Sequence, residues 1–347
     1  MIVRQLNKFC LLIGILLFSL ASCKKFLPKE SENLSDDMNF LTTTYSPVLG
    51  RDYVFSGNFN SGTSSLPLNF SIVNMRHADG SAAPELNVSL PTKVWIHPYL
   101  GTETSLTEID SERTTENLPP FQIREHNGEF VVWSNASSSY VRCQPDPGYL
   151  FDVEVSNSGG KTYFKDLKLT PYRERPYEPS LSDPVTGIDT ATSLHPTTLL
   201  NMVGESSQLT LSLSDVNVFI HKVDTTYPDN NYTLTFKFLD TAYNPIDPAK
   251  FNQTNWSTLV HGFNMDKTST YVRYKVAYPI PLIAYPTQYT TTDGSQAHLQ
   301  FGYDRIGYGG FRQTTTMTFD FNIYEEGNWE IDFVFPKDNP RFENESY

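Results

Sequence analysis

Cysteine is nearly missing. Three occur in 347 residues: Cys10, Cys23 and Cys143. With two of them at the N-terminus, Cys143 stands alone in the body of the chain. An internal disulfide framework is excluded, and stability must come from buried apolar surface. Cys143 reads as a small apolar strand residue. Positive charge is also short, with 26 Lys and Arg against 39 Asp and Glu and a net charge of −13. Nucleic acid phosphates want a basic patch, so nucleic acid is excluded as a partner. One long apolar run exists, Phe9 to Leu20. A membrane-spanning helix needs about 20 such residues, so this run is too short.

Motifs for chemistry are equally sparse. The seven histidines form no His-x-His or His-x-x-x-His pair. Closely spaced ligands are the usual mark of a zinc site. No metal and no cofactor are expected, an assembly from distant strands being the alternative. The Asp-rich stretches Asp224–Asn231 and Asp240–Asp247 match no EF-hand loop and read as plain turns. No Gly-x-Ser-x-Gly elbow is present. The run Gly307-Tyr308-Gly309-Gly310 precedes no helix and no Lys-Ser/Thr, so it is not a phosphate loop. Glycoside cleavage needs two carboxylates at a set separation, and the sequence marks no such pair. The chain is therefore not expected to be an enzyme, and a glycan-processing activity is kept as a second alternative.

What the sequence does hold is a secretion signal. Arg4 and Lys8 precede the apolar run, which ends in Leu20-Ala21-Ser22-Cys23. A basic start, a short apolar core and small residues at the cut describe a signal peptide. The cysteine adds a thiol that can carry lipid. We read residues 1–22 as a lipoprotein signal and Cys23 as the acylated residue, so membrane lipid is the first expected partner. Each buried CH₂ contributes about 0.8 kcal/mol, and several chains hold firmly where one does not.

Aromatics make up 14% of the chain and charged residues 19%. That is the balance of a β-rich extracytoplasmic protein, not of a disordered one. After a polar tether over 23–45, with a short helix expected near Asp36–Thr43, the pattern turns to strands. Phe151, Val153 and Val155 alternate with polar residues, turn at Asn157-Ser158-Gly159-Gly160 and return to Leu169. Phe121–Arg124 and Glu129–Trp133 flank His126-Asn127-Gly128, a hairpin turn. Gly101–Pro120 reads as a long polar loop. Pro171, Pro176, Pro179 and Pro184 mark a stiff linker over 171–200, with a short helix expected over Pro196–Val203. In the second half, alternation predicts strands at Leu209–Leu213, Val216–Ile220, Leu234–Phe238, Tyr271–Tyr278 and Leu299–Tyr303. It also predicts a closing hairpin, Thr315–Ile323 with Trp329–Phe335. Parallel sheets need helices between their strands, and almost none is legible. The fold class expected is all-β: two antiparallel β-sandwich, immunoglobulin-like domains, at 46–170 and 201–347.

For binding, a sugar ring wants an aromatic plane with polar groups beside it. The richest stretch runs from Tyr271 to Arg312. Its candidates are Tyr285, Tyr289, Tyr303, Asp304, Arg305, Tyr308, Phe311 and Arg312, in proline-rich or glycine-rich surface loops. Trp256, beside Asn252, Gln253 and Asn255, is a further candidate.

The residues after the lipid site, Cys23-Lys24-Lys25-Phe26-Leu27, resemble the start of glycan-capturing lipoproteins of starch-utilisation-type uptake systems in Bacteroidota. Glu30, Glu32, Asp36 and Asp37 resemble the acidic surface-export signal of that phylum. In length and β-character the rest is similar to the accessory, immunoglobulin-like surface lipoproteins of such systems. An uncharacterised lipoprotein family of that phylum is the alternative. The resemblance implies an outer-membrane anchor facing the exterior, polysaccharide as ligand and a transporter complex as partner. A structural or adhesive lipoprotein holding a protein partner is the alternative function.

Overall fold

A computed structural model describes residues 32–227 and 231–345. The signal segment and Cys23 lie outside the described residues. The chain is all-β and builds two sandwich-like bodies, each with its own core.

The first body contains β1 (Asn39–Phe40), β2 (Thr44–Tyr45), β3 (Tyr53–Phe55), β4 (Phe59–Asn60), β5 (Asn69–His77), β6 (Leu90–Trp95), β7 (Arg113–Leu118), β8 (Phe121–Ile123), β9 (Phe130–Val132), β10 (Tyr149–Asn157) and β11 (Gly160–Leu169). One sheet has the order β2-β11-β10-β5 and another β3-β9-β8. Strand β10 shows why. Tyr149, Phe151, Val153 and Val155 are all buried, and period-two alternation puts them on one face. Phe151 meets Phe121 at 5.1 Å and Phe130 at 5.3 Å from the opposite sheet. The β10–β11 and β8–β9 hairpins form as the sequence predicts.

The second body contains β12 (Tyr177–Glu178), β13 (Thr198–Leu200), β14 (Asn217–Val223), β15 (Thr233–Leu239), β16 (Phe263–Lys267), β17 (Val272–Lys275), β18 (Ala297–Ile306), β19 (Arg312–Ile323) and β20 (Asn328–Val334). A five-stranded sheet, β14-β20-β15-β17-β16, packs on a second sheet built around β19, which pairs with β18, β12 and β13. Phe301 of β18 lies 5.0 Å from both Phe238 and Phe333 of the facing sheet.

Several expectations are corrected here. Strands β19 and β20 do not pair with each other, because the chain crosses between sheets at Tyr324–Gly327. Both strands carry a continuous apolar face, and the two faces meet across the core, with Phe319 and Phe333 at 5.9 Å. Alternation is the same for a hairpin and for such an arch. Two pairings are parallel, β2 with β11 and β15 with β20. The 101–120 stretch holds the helix Leu106–Ser111 and strand β7. Pro196–Val203 contains strand β13, and Asp36–Thr43 contains β1. Leu209–Leu213 is not a strand: Thr210 makes one bridge to Val203, and Leu213 opens a 3₁₀ turn. The proline-rich 171–200 segment is woven into the second body through β12, β13 and the Leu194–Val218 bridge.

A third apolar cluster joins the two bodies, made of Tyr99, Ile109 and Leu282 with Trp95 and Phe263 against them. His261 is its polar pin. Its Nε2 lies 2.9 Å from the Glu103 carbonyl, which only accepts, so Nε2 carries the proton. Nδ1 then accepts from the Tyr99 hydroxyl at 2.5 Å. Burial and the nearby Glu103 push the Tyr99 hydroxyl upward, so it stays a donor.

Candidate functional site

Strands β18 and β19 pair without interruption from Ala297↔Phe321 to Ile306↔Arg312. The turn that joins them is Gly307–Phe311. Gly309 and Gly310 both have positive φ, at 80° and 78°, which side-chain-bearing residues rarely adopt. The Gly307 amide donates to the Phe311 carbonyl at 2.8 Å and closes the turn. This backbone leaves two rings outside: Tyr308 is 95% exposed and Phe311 77%.

Beneath the rings lies a braced polar layer. The Asp304 carboxylate accepts from Thr314 Oγ1 at 2.6 Å and from Arg312 Nε at 2.6 Å. Those bonds, Thr314 first and Arg312 next, hold it below the usual carboxylate range. It is thus an ionised anchor for Arg312 and not a proton donor near neutral pH. The Asp304 amide donates to Asn252 Oδ1 at 3.0 Å. Residues near the C-terminus brace the same strand end, with the Ile306 amide donating to Asn344 Oδ1 at 2.7 Å. The result is a hydrogen-bonded stem with two apolar planes and a guanidinium, an arrangement suited to stacking and hydrogen bonding.

The other sequence candidates lie elsewhere. Tyr303 is 1% exposed and Arg305 5%. Strand β18 runs on to Ile306, so the period that buries Leu299 and Phe301 buries these two as well. Tyr303 packs on Phe342 at 4.6 Å, and Arg305 pairs with Glu345 at 3.3 Å. Neither presents itself to a ligand. Trp256 is also buried, against Phe301 at 5.8 Å, with the Lys267 ammonium over its ring. Its neighbour Gln253 bonds through its amide to the Gly302 carbonyl, a structural tie. Tyr289 stacks on His261 at 4.7 Å in the joint between the bodies. Tyr285 is exposed in the Leu282–Pro286 loop, outside the β18–β19 hairpin. Of nine candidates the structure gathers four: Asp304, Tyr308, Phe311 and Arg312.

Two further features escape sequence reasoning. The first is a cleft of about 480 Å³ between the edges of β5 and β8, lined by Phe70, Ile72, Phe121 and Ile123, with the Phe70 amide donating to the Glu125 carbonyl at one end. The second is a polar cluster on the outer face of the five-stranded sheet. His221 Nε2 lies 3.5 Å from Glu330, and Lys237 Nζ lies 2.5 Å from the same carboxylate. The alternation Glu330-x-Asp332 was the visible signal, but His221 joins it only through the β14–β20 register. The His221 and Lys237 contacts hold Glu330 at about 2, down from the ordinary 4.5, and Glu330 raises His221 above its ordinary 6.5. A carboxylate depressed by folding contributes stability above its unfolded value and loses it on acidification. The melting temperature should therefore fall between about pH 5 and pH 2. Glu330→Gln should flatten that fall in a calorimetric pH series. The raised histidine acts oppositely: its contribution is complete below 6.5 and fades as pH rises through its folded value.

A protein-family model described as a domain of unknown function, DUF5007, matches residues 59–344, which takes in the second core and all of the first core except Met38, Phe40, Tyr45 and Leu49. No curated protein sequence matches the chain.

Proposed function

We propose that this chain, which belongs to the DUF5007 domain family, is a lipid-anchored surface protein that holds glycan without cleaving it, beside an outer-membrane polysaccharide transporter. The tip residues Tyr308, Phe311 and Arg312 are the part that touches sugar. One observation carries the reading: two exposed aromatic rings, Tyr308 and Phe311, stand at the tip of a continuously paired hairpin whose Asp304 holds Arg312 and Thr314. Neither ring is buried in a core, so both are free to contact a ligand. Sugars offer C–H faces to such planes and hydroxyls to the guanidinium. The signal ending at Cys23, and its likeness to Bacteroidota lipoproteins, support the outer-surface location.

A protein partner is the second reading, favoured by the open-edged cleft between β5 and β8. The Phe70 amide already donates across it to the Glu125 carbonyl at 2.8 Å, and the rest of the two strand edges is what another strand could extend. The cleft lining carries one carboxylate, Glu125, where glycoside cleavage calls for two.

Affinity electrophoresis through gels containing neutral and acidic polysaccharides tests the first reading. Retardation in at least one gel, insensitive to salt, is expected. Unchanged migration in every gel, with one stoichiometric protein co-purifying, would favour the second.

A further inference from the structure

We propose that His221, Glu330 and Asp332 form a binding site for one divalent transition-metal ion of the zinc class. The site lies on the outer face of the five-stranded sheet, which does not include the β18–β19 hairpin, and it does not depend on the glycan reading.

The geometry comes from strand register. His221 of β14 sits directly opposite Glu330 of β20, and Asp332 is two residues further along the same face. The three donor atoms lie within 4.8 Å of one another. His221 Nε2 is 3.5 Å from Glu330 Oε2 and 4.0 Å from Asp332 Oδ2. Zinc bonds of about 2.0–2.1 Å place tetrahedral donors about 3.3 Å apart, so side-chain rotation is enough to close the set. The backbone need not move, because β20 is paired on both sides.

The electrostatics leave room for a cation. Asp332 Oδ1 is buried and has no hydrogen-bond partner. The oxygen that faces His221 is the other one, Oδ2, so a cation held there would offset the charge of a carboxylate that the protein leaves only partly satisfied. The Lys237 ammonium is hydrogen-bonded to Glu330 and lies opposite Asp332 in the β15–β20 register, so it is the cation that a metal ion would have to displace. The Lys237 side chain is about a third exposed, at 32%, and can turn to solvent when an ion arrives. The His221 side chain is 45% exposed, which gives the ion an entry path and leaves a fourth position for water. One imidazole nitrogen with two carboxylate oxygens suits zinc, nickel or cobalt. Calcium and magnesium prefer oxygen alone.

The test is isothermal titration of the purified full chain with zinc chloride at pH 7. One ion per chain is expected. His221→Ala and Asp332→Asn should each weaken binding at least tenfold, with metal-free melting curves confirming that both variants fold. Lys237→Met keeps all three ligands and removes the competing ammonium, so it should bind more tightly than the wild type. Calcium chloride should give no saturable heat. Absence of saturable zinc uptake by the wild type would overturn the proposal. So would affinity unchanged in both ligand variants, which would place the ion on other histidines, or weaker binding by Lys237→Met.

Discussion

Phe301→Ala should destabilise the protein by about 3–5 kcal/mol, the usual cost of deleting a fully buried phenylalanine. Phe301 has no exposed surface and lies where both sheets of the second body meet. Its ring touches Phe238 and Phe333 at 5.0 Å, Trp256 at 5.8 Å and Phe236 at 6.1 Å. Phe236, Phe238 and Phe333 sit on paired strands and cannot collapse into the space left behind, so the cavity term adds to the lost transfer energy. Urea unfolding should show a lower midpoint with little change in slope. A loss under about 1 kcal/mol would mean that the aromatic core is far looser than these contacts imply.

The second large effect is on recognition. Tyr308→Ala combined with Phe311→Ala should reduce retardation in a glycan gel at least tenfold. One stacked ring contributes roughly 1 kcal/mol beyond its buried area, and each 1.4 kcal/mol is a factor of ten. Neither ring packs into a core, so stability should stay within about 0.5 kcal/mol of the wild type. Arg312→Ala should weaken binding less and leave Asp304 without its guanidinium.

These two effects separate residues that the sequence groups together. The alternation of β10 and the turn after it were plain to read, because a half-buried strand shows its period directly. Strand β7 was not legible: it is a solvent-exposed ribbon of mostly polar residues, with no apolar stripe to set a period. The helix Leu106–Ser111 carried one signal, a serine N-cap. Ser105 Oγ accepts from the Glu108 amide, and the Glu108 carboxylate accepts from the Thr104 amide. The arch between β19 and β20 was hidden for a different reason. An apolar face does not say whether its partner lies beside it or across the core. At the site, the glycines of 307–310 marked a tip, but nothing marked how far strand β18 runs before it. That length decides whether Tyr303 and Arg305 face water or the core. Trp256 misled because its polar neighbours suggested a binding surface, whereas Asn252 and Gln253 tie the chain to β18.

Tyr303 and Tyr308 sit five positions apart on one hairpin, one buried and one in the open. The most direct measurement is to replace each with alanine and record, for both variants, the urea midpoint and the retardation in a gel containing a bound glycan. Tyr303→Ala should lose about 3 kcal/mol of stability. Tyr308→Ala should keep its stability and lose retardation. If Tyr308→Ala binds as the wild type does, or if Tyr303→Ala is as stable as the wild type, the hairpin tip is not the recognition surface or β18 does not bury Tyr303 as described.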